Sequence, residues 1–139
     1  MKKSPLRKHS KNPIAKLKKR LDIVFSKAMR KELFKKQVHS LGHIRCYTCD
    51  AVIYIDNTQV SHFISRIHHS LRWEPRNVRL CCKRCNIWLN GNLAEFALKL
   101  IDERGRQEVE WLRQEGNKIK NWSIKELEEL IKFYEDKLN

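Results

Sequence analysis

Apolar residues recur at intervals of three and four through the first third of the chain. Lysine and arginine fill most of the positions between them. This spacing places one apolar face along a helix and leaves the opposite face basic. We predict a basic amphipathic helix over residues 14–41, which ends in the region of Gly42. Its apolar positions are Leu17, Leu21, Val24, Phe25, Ala28, Met29 and Leu33.

The middle of the chain has short β-branched and aromatic runs instead of helical spacing. Residues 44–49 and 51–55 predict two short strands around a turn, and residues 59–64 predict a third strand. Residues 67–76 have no apolar period and predict a loop. Residues 77–81 predict the strand after that loop, and we expect it to pair with residues 59–64 as one hairpin.

The last third of the chain returns to helical spacing. Asn92 and Glu95 have the spacing of a capping box, and they precede an apolar series that Gly105 ends. A shorter helix is predicted around Trp111, and it stops at Gly116.

A final helix is predicted after Ser123, whose spacing from Glu126 is again that of a capping box. Its apolar stripe is typical of a helix that packs on a core rather than of a partner surface. The stripe consists of Leu127, Leu130, Ile131, Tyr134 and Leu138.

Length and composition limit the class of protein. With 139 residues and 41% apolar content, the chain can form one modest domain, whose small core a bound metal would help to stabilise. No apolar run approaches the length of about 20 residues that crosses a membrane, and no apolar segment follows the basic start as in a signal peptide. We expect a cytoplasmic protein without a membrane partner.

The net charge of +14 is concentrated at the front of the chain. Residues 1–40 contain 14 Lys and Arg against two acids, whereas residues 101–139 contain 8 against 10. Such asymmetry predicts a polyanionic partner, with nucleic acid ahead of an anionic membrane surface; the alternative is a solvated face that only maintains solubility. Residues 1–13 have two prolines and little apolar content, so we expect a disordered basic arm.

Two Cys-x-x-Cys pairs enclose the middle of the chain. The first pair is Cys46 with Cys49, and the second is Cys82 with Cys85. Two such turns brought together supply the four thiolates that structural Zn²⁺ prefers. The alternatives are two disulfides or four unrelated thiols, and a reducing compartment disfavours the disulfides. Cys81 lacks a partner at this spacing, and we interpret it as a small buried residue of the preceding strand.

A histidine and two asparagines follow in the order His62, Asn77, Asn86. With the cysteine pairs, this order resembles the HNH (ββα-metal) nuclease superfamily in its zinc-containing form. The closer resemblance is to the phage lambda NinG (Rap) recombination-protein family, and it covers most of residues 43–136. The positions that carry the resemblance are Cys46 and Cys49, residues 62–66, 71–73 and 77–80, Cys82, Cys85 and Asn86, Gly91 and Asn92, Leu100, Ile101 and Gly105, and residues 127–134.

The resemblance implies an α+β fold, in which residues 42–105 form a small zinc-stapled ββα-metal (HNH-like) core between the N-terminal basic helix and a helical extension over residues 106–139. It also implies a metal-dependent, structure-selective DNA endonuclease that acts on branched recombination intermediates such as Holliday junctions, in the host cytoplasm if the gene belongs to a phage. By analogy His62 is the general base, Asn77 braces the hairpin, and Asn86 supplies a ligand to Mg²⁺ or Mn²⁺.

Residue chemistry agrees with these roles without requiring them. A histidine near neutral pKa can activate water, and an amide oxygen suits a hard cation. His62 could equally be a buried histidine whose bonds are satisfied in the core, and Asn77 and Asn86 could cap a turn and a helix.

The chain departs from the usual HNH pattern at Ser61, where an acidic or histidine ligand often precedes the base. Either His62 itself ligates the cation and another group is the base, or a ligand comes from elsewhere. The nearest candidates are His68, His69 and Asp56. Basic residues could clamp phosphate or simply be surface charge. Those expected to contact DNA are Lys16, Lys18, Lys19, Arg20, Arg66, Arg72, Arg76 and Arg79.

Two other functions stay open at this point. One is a noncatalytic zinc protein that binds branched DNA, which the Ser61 departure favours, and the other is an RNA-binding module. The presence of His62 together with Asn86 favours the nuclease, because binding alone requires neither. The sequence does not decide between a monomer and a homodimer.

Overall fold

The computed structural model describes residues 12–40 and 42–139, with the backbone alone at residues 38–40. The predicted arm therefore lies outside the described residues except for its last two. Four α-helices and five short strands are described. They are α1 Pro13–Gln37, β1 Val38–Ser40, β2 His43–Arg45, β3 Val52–Tyr54, β4 Gln59–His62, β5 Val78–Cys81, α2 Leu93–Arg104, α3 Arg106–Gly116 and α4 Ile124–Leu138.

The first helix begins and ends for identifiable reasons. The side chain of Asn12 caps it by accepting the backbone N–H of Ile14 at 3.0 Å, and Pro13 occupies the first helical position. The helix stops at Gln37, earlier than predicted, because the following residues pair with β2 as strand β1. The sequence pattern did not predict β1. A turn brings β2 alongside these residues, and no local apolar period marks them as a strand.

The strands form two separate antiparallel sheets. One has the order β1-β2-β3, and the other is the β4-β5 hairpin, in which His62 pairs with Val78. The predicted pairing of these two segments is confirmed. Strands β2 to β4 are shorter than predicted. A 3₁₀ turn at Ile55–Asn57 leads into β4, and a second at Pro75–Asn77 leads into β5.

The starts of the C-terminal helices differ from one another. Ser123 and Glu126 form the predicted capping box at the start of α4. Asn92 was expected to cap α2 in the same way, and that prediction is wrong. Its backbone is left-handed, with φ of 49°, and its side chain makes no capping bond. Instead, the Asn92 amide donates to Cys85 Sγ at 3.7 Å, so this residue contributes to the cysteine cluster.

One buried apolar cluster joins the hairpin to the helices. The predicted stripe of α4 belongs to this core, as expected, with Leu127, Ile131 and Tyr134 buried. The ring of Tyr134 meets Phe25 of α1 edge to face, with centroids 5.1 Å apart. Because Phe25 also lies 6.3 Å from the ring of His62, α1 is packed directly beside the hairpin. No helix among the described residues is long and apolar enough to cross a membrane.

Candidate zinc centre and histidine cavity

The four predicted zinc ligands converge on one point. The Sγ atoms of Cys46, Cys49, Cys82 and Cys85 all lie within 4.8 Å of one another, and those of Cys49 and Cys82 are 3.7 Å apart. A tetrahedral site with Zn–S bonds of about 2.3 Å has sulfur–sulfur edges of about 3.8 Å. The cluster therefore fits a structural Zn²⁺. The disulfide alternative is not adopted, since all five cysteines are free.

Backbone N–H groups donate hydrogen bonds to sulfur atoms of the cluster, which favours the thiolate form of these cysteines. The backbone N–H of Cys82 donates to Cys46 Sγ at 3.2 Å, and that of Cys85 donates to Cys82 Sγ at 3.4 Å. The first turn closes through a bond of 3.0 Å from the N–H of Asp50 to the carbonyl oxygen of Cys46, with Asp50 in the left-handed region at φ of 63°. Donors aimed at thiolates stabilise them and orient them toward a metal.

Cys81 is the spare thiol that the sequence predicted. It is fully buried in β5, where it donates a hydrogen bond to Cys46. That bond and its burial raise the pKa of Cys81, so it remains a neutral thiol beside the four ligands.

His62 is the last residue of β4, and one nitrogen of its ring is already hydrogen-bonded. Its Nε2 lies 2.9 Å from the carbonyl oxygen of Arg72, and because a carbonyl only accepts, Nε2 must carry the hydrogen. The neutral ring then has its unprotonated nitrogen at Nδ1. Burial is the main cause that lowers the pKa of His62 below 6.5, which favours this neutral form. Nδ1 of His62 is therefore unprotonated near neutral pH and can accept a proton.

Arg72 is itself fixed by an acid on α1. Asp22 accepts hydrogen bonds from Arg72 Nε at 2.9 Å and Arg72 Nη2 at 2.5 Å, and from Trp73 Nε1 at 3.0 Å. This bidentate ion pair is four-fifths buried at both side chains. Sequence analysis missed Asp22. Its only signal was that it is one of two acids among the first 40 residues.

Asn77 braces the loop that carries Arg72. Its side chain accepts the N–H of Ile64 at 2.8 Å and donates to the carbonyl oxygens of Ile64 at 2.9 Å and Leu71 at 3.2 Å. The residue is fully buried, with all of these bonds to backbone groups. Asn77 is therefore a positioning residue that ties both ends of the 64–71 loop to the hairpin.

Asn86 directly follows Cys85, the last of the four clustered cysteines, along the chain. It is held in a π-helical turn, Arg84–Trp88, by a bond of 3.0 Å from its N–H to the carbonyl oxygen of Cys82. Its Oδ1 accepts a hydrogen bond of 2.6 Å from Ser61 Oγ. Ser61 is fully buried, so the serine that departs from the HNH pattern is directed at the asparagine of that pattern.

His62 and Asn86 face one open cavity of about 820 Å³. Its lining also contains three arginines, Arg30, Arg66 and Arg72, against Asp22 as the only acid among the described residues that line it. Clustered cationic side chains around a partly enclosed space favour phosphate groups.

The sequence of the chain matches a known protein family. The family model described as "Bacteriophage Lambda NinG protein" matches residues 2–139. The chain belongs to the NinG family. It matches no curated protein and no solved structure. The resemblance to the NinG family is therefore confirmed over nearly the whole length.

The three other candidate ligands lie in different places within this NinG-family chain. His68 is occupied elsewhere, since its Nδ1 donates to the carbonyl oxygen of Gly116 at 2.9 Å. Asp56 is exposed in the turn before β4 and does not line the cavity. His69 does line it, and its buried Nδ1 has no hydrogen-bond partner in the described part of the chain. Burial, followed by the charges of Lys18 and Arg72, lowers the pKa of His69.

The arginines expected at the active face divide into two groups. Arg66 and Arg72 line the cavity, and within the described residues Arg66 is held by no ion pair. Arg76 instead stacks over the ring of Trp111 at 3.6 Å, and Arg79 is buried in a bidentate pair with Glu103 at 2.7 and 3.3 Å.

The expected DNA contact by Arg79 is therefore corrected, because a guanidinium that is 7% exposed and paired with a carboxylate stabilises the fold of this NinG-family chain rather than binding a ligand. On α1, Lys16 and Lys19 are exposed, Lys18 lies near the cavity, and Arg20 pairs with Glu135 of α4.

Proposed function

We propose that this NinG-family protein is a divalent-metal-dependent endonuclease that cleaves branched DNA in phage recombination. The observation that carries the proposal is the bond from His62 Nε2 to the carbonyl oxygen of Arg72. It holds the imidazole as the tautomer whose Nδ1 can accept a proton from water. The same Nδ1 belongs to a histidine that lines the cationic cavity.

The cavity supports phosphodiester hydrolysis in two further ways. The lowered pKa of His62 keeps its base form populated at neutral pH. Arg66, which makes no ion pair within the described residues, places positive charge beside that base, where a scissile phosphate would lie. The hairpin β4-β5, followed by the turn with Asn86 and then α2, has the strand–strand–helix order of a ββα-metal core. That order supports an HNH-like assignment.

The residues present fit a catalytic cation only weakly. Asn86 Oδ1 would hold it, with Ser61 Oγ beside that oxygen. Both donors are neutral, and the two carboxylate oxygens of Asp22 are already bonded to Arg72 and Trp73. Mg²⁺ or Mn²⁺ would then take most of its ligand charge from DNA phosphate, as is common for Mg²⁺ sites. Such a cation would supply charge stabilisation at the phosphate and the leaving oxygen.

We propose DNA as the partner because the chain is strongly basic. The net charge is +14, and the charge of Lys18 on α1 acts on His69 in the cavity lining. Neutralising phosphates with such side chains releases counterions and gives affinity without sequence recognition.

The test is a cleavage assay on duplex, flap, D-loop and four-way-junction DNA, with and without Mg²⁺ or Mn²⁺. Wild-type protein should cut branched DNA only with the cation. His62→Ala should lose on the order of a hundred- to ten-thousand-fold in rate, while its zinc content, folding and DNA affinity stay near wild type. His62→Ala that cuts at the wild-type rate removes His62 as the base.

One observation favours a second function. Because Ser61 occupies Asn86 Oδ1, the chain could have kept the fold and lost its cation site, leaving a noncatalytic protein that binds branched DNA. Wild-type protein that binds junctions tightly and cuts none of the panel would establish this alternative.

A further inference from the structure

A large aromatic side chain stands exposed beside the cavity. Trp88 is 75% exposed at the end of the Arg84–Trp88 turn, two residues after Asn86. Its neighbours Ile87, Leu89 and Leu93 are also exposed, so water meets an apolar patch here. An exposed tryptophan among apolar neighbours marks an interaction surface. We propose that Trp88 is a stacking platform for an unpaired base at the branch point of DNA, an inference that rests on the proposed function.

Local backbone hydrogen bonds hold the segment around Trp88 in place. The N–H of Leu89 donates to the carbonyl oxygen of Arg84 at 2.9 Å, and the N–H of Gly91 donates to that of Cys85 at 2.8 Å. The residues between α2 and the turn are left-handed, with φ of 50° at Asn90 and 95° at Gly91. Since Cys85 is a zinc ligand candidate, the platform is anchored to the metal cluster. A rigid platform loses little freedom when a base stacks on it.

The position of the platform matches the proposed chemistry. Asn86 precedes Trp88, and Asn90, Gly91 and Leu93 follow it; all four line the cavity with His62. A methyl group built on Gly91 would lie 4.0 Å from the carbonyl oxygen of His62, so this loop passes directly beside the base residue. A nucleotide stacked on Trp88 would therefore have its neighbouring phosphates near the cavity.

The positive charge around Trp88 favours a nucleic acid rather than a protein as the molecule that binds there. Lys83 and Arg84 are exposed in the same turn. From residue 80 to residue 94 the chain has no acid, and Lys83 and Arg84 are its two basic residues. An aromatic ring beside cations is how proteins hold single-stranded nucleic acid, because every base has a stacking face and every linkage a charge. In fully paired duplex the bases are already stacked, so the platform selects for a flap, or for a junction that has an unpaired base at its branch point.

The experiment measures binding, so it does not depend on cleavage. Full-length protein in the His62→Ala background is titrated without divalent cation against a four-way junction with one unpaired base at its branch point, a flap and a linear duplex of equal length. Each branched DNA carries 2-aminopurine at the branch. Trp88→Ala should weaken binding to both branched DNAs by roughly five- to a hundred-fold, the range expected for one stacked base. It should also abolish the change in 2-aminopurine fluorescence and leave duplex binding within about twofold.

Two control variants keep the inference falsifiable. Trp88→Phe should retain most of the preference for branched DNA, because it keeps a stacking face. Phe133→Ala removes another exposed aromatic, 52% exposed on α4, and should change nothing. Zinc content and circular dichroism verify folding of each variant.

The outcomes separate this inference from the proposed function. Trp88→Ala that binds branched DNA as tightly as its parent, or that loses duplex and branched binding equally, overturns it. A change of oligomeric state in Trp88→Ala, with branch binding intact, would assign the patch to a second copy of the chain and overturn it too. Loss of branch selectivity in Trp88→Ala, together with wild-type protein that cuts no DNA, would support the platform while refuting the nuclease.

Discussion

Asp22 and His62 are linked through a single residue. Asp22 grips the guanidinium of Arg72 with both carboxylate oxygens, and the carbonyl oxygen of the same Arg72 accepts the Nε2 hydrogen of His62 at 2.9 Å. An acid on α1 thus sets the position of the group that fixes the imidazole. Because a charge-assisted bidentate bond restricts Arg72 strongly, this linkage makes the first helix part of the candidate active site.

Asp22→Asn should therefore slow cleavage without weakening DNA binding. Losing a hydrogen bond to a charged group costs about 1.5–3 kcal/mol, and if half of this appears in the barrier the rate falls roughly three- to tenfold. Single-turnover cleavage and a binding titration would separate the two effects. Glu32→Gln is the matched control, since Glu32 is the other acid of α1 and its ion pairs with Lys36 and Lys137 lie on the surface. Equal rates for the two variants would contradict the linkage.

The pH dependence of the rate follows from the burial of His62. Burial lowers the pKa of its imidazole below 6.5, and the base must be neutral to accept a proton. The rate constant should thus be flat above pH 6.5 and should fall only below that value. Asp22 raises the pKa of His62, so Asp22→Asn should move the acidic limb to still lower pH. A profile of kcat/KM against pH with its acidic limb above 6.5 would exclude His62 as the base.

The same shift affects stability with a definite sign. Below pH 6.5 the unfolded chain binds a proton at His62 more readily than the folded chain does. The free energy of unfolding should therefore decrease as the pH falls from 6.5 through the lowered pKa of the folded state. Urea unfolding at several pH values would measure this slope, which should become smaller in His62→Gln.

Removing one zinc ligand should unfold much of the domain. Cys82→Ser takes a thiolate from the cluster, and the binding energy of a structural zinc ion is also folding energy. Metal analysis of protein purified without chelator should give one zinc per wild-type chain and a large loss in the variant. Cys81→Ser is the matched control, because Cys81 neighbours the ligands and is not one of them. Zinc-free wild-type protein would refute the site.

Supplying a carboxylate beside Asn86 should strengthen the proposed cation site. Ser61→Asp would place an acid where Ser61 Oγ now lies 2.6 Å from Asn86 Oδ1. The concentration of Mg²⁺ for half-maximal cleavage should fall roughly tenfold, at a cost of about 1–3 kcal/mol in stability without the cation, because position 61 is fully buried. Ser61→Ala controls for loss of the hydroxyl. An unchanged Mg²⁺ requirement in Ser61→Asp would place the cation elsewhere.

The basic N-terminal segment should contribute affinity that does not depend on DNA shape. Deleting residues 2–11 preserves the Asn12 cap of α1 and removes Lys2, Lys3, Arg7, Lys8 and Lys11. Binding to all DNAs should weaken alike, and the slope of log K against log salt should decrease by about 0.9 per lost phosphate contact. An unchanged slope would place the electrostatic contacts on other residues.

Local spacing was enough to predict much of the fold. The cysteine pairs, the hairpin with His62 and the stripe of α4 depend on residues close in sequence or on a regular period, and all three are present. Contacts between distant side chains that belong to no motif were not predicted. Asp22 meets Arg72 across 50 positions, and Arg79 meets Glu103 across 24, so no local pattern distinguishes these arginines from free ones. The prediction for Asn92 was wrong because its spacing from Glu95 is that of a capping box, whereas its side-chain amide donates to Cys85 of the cysteine cluster.

The acceptor that fixes His62 belongs to the main chain, and every residue type at position 72 would present the same oxygen. Arg72→Ala therefore keeps a hydrogen-bond acceptor for Nε2 and loses the anchor to Asp22. A genetic screen for inactive variants would in consequence miss the group that contacts the imidazole. It would instead find residues that hold that stretch of backbone in place, chiefly Asp22 and Asn77. Replacing the peptide bond after Arg72 by an ester, which weakens the carbonyl as an acceptor, would test the contact directly.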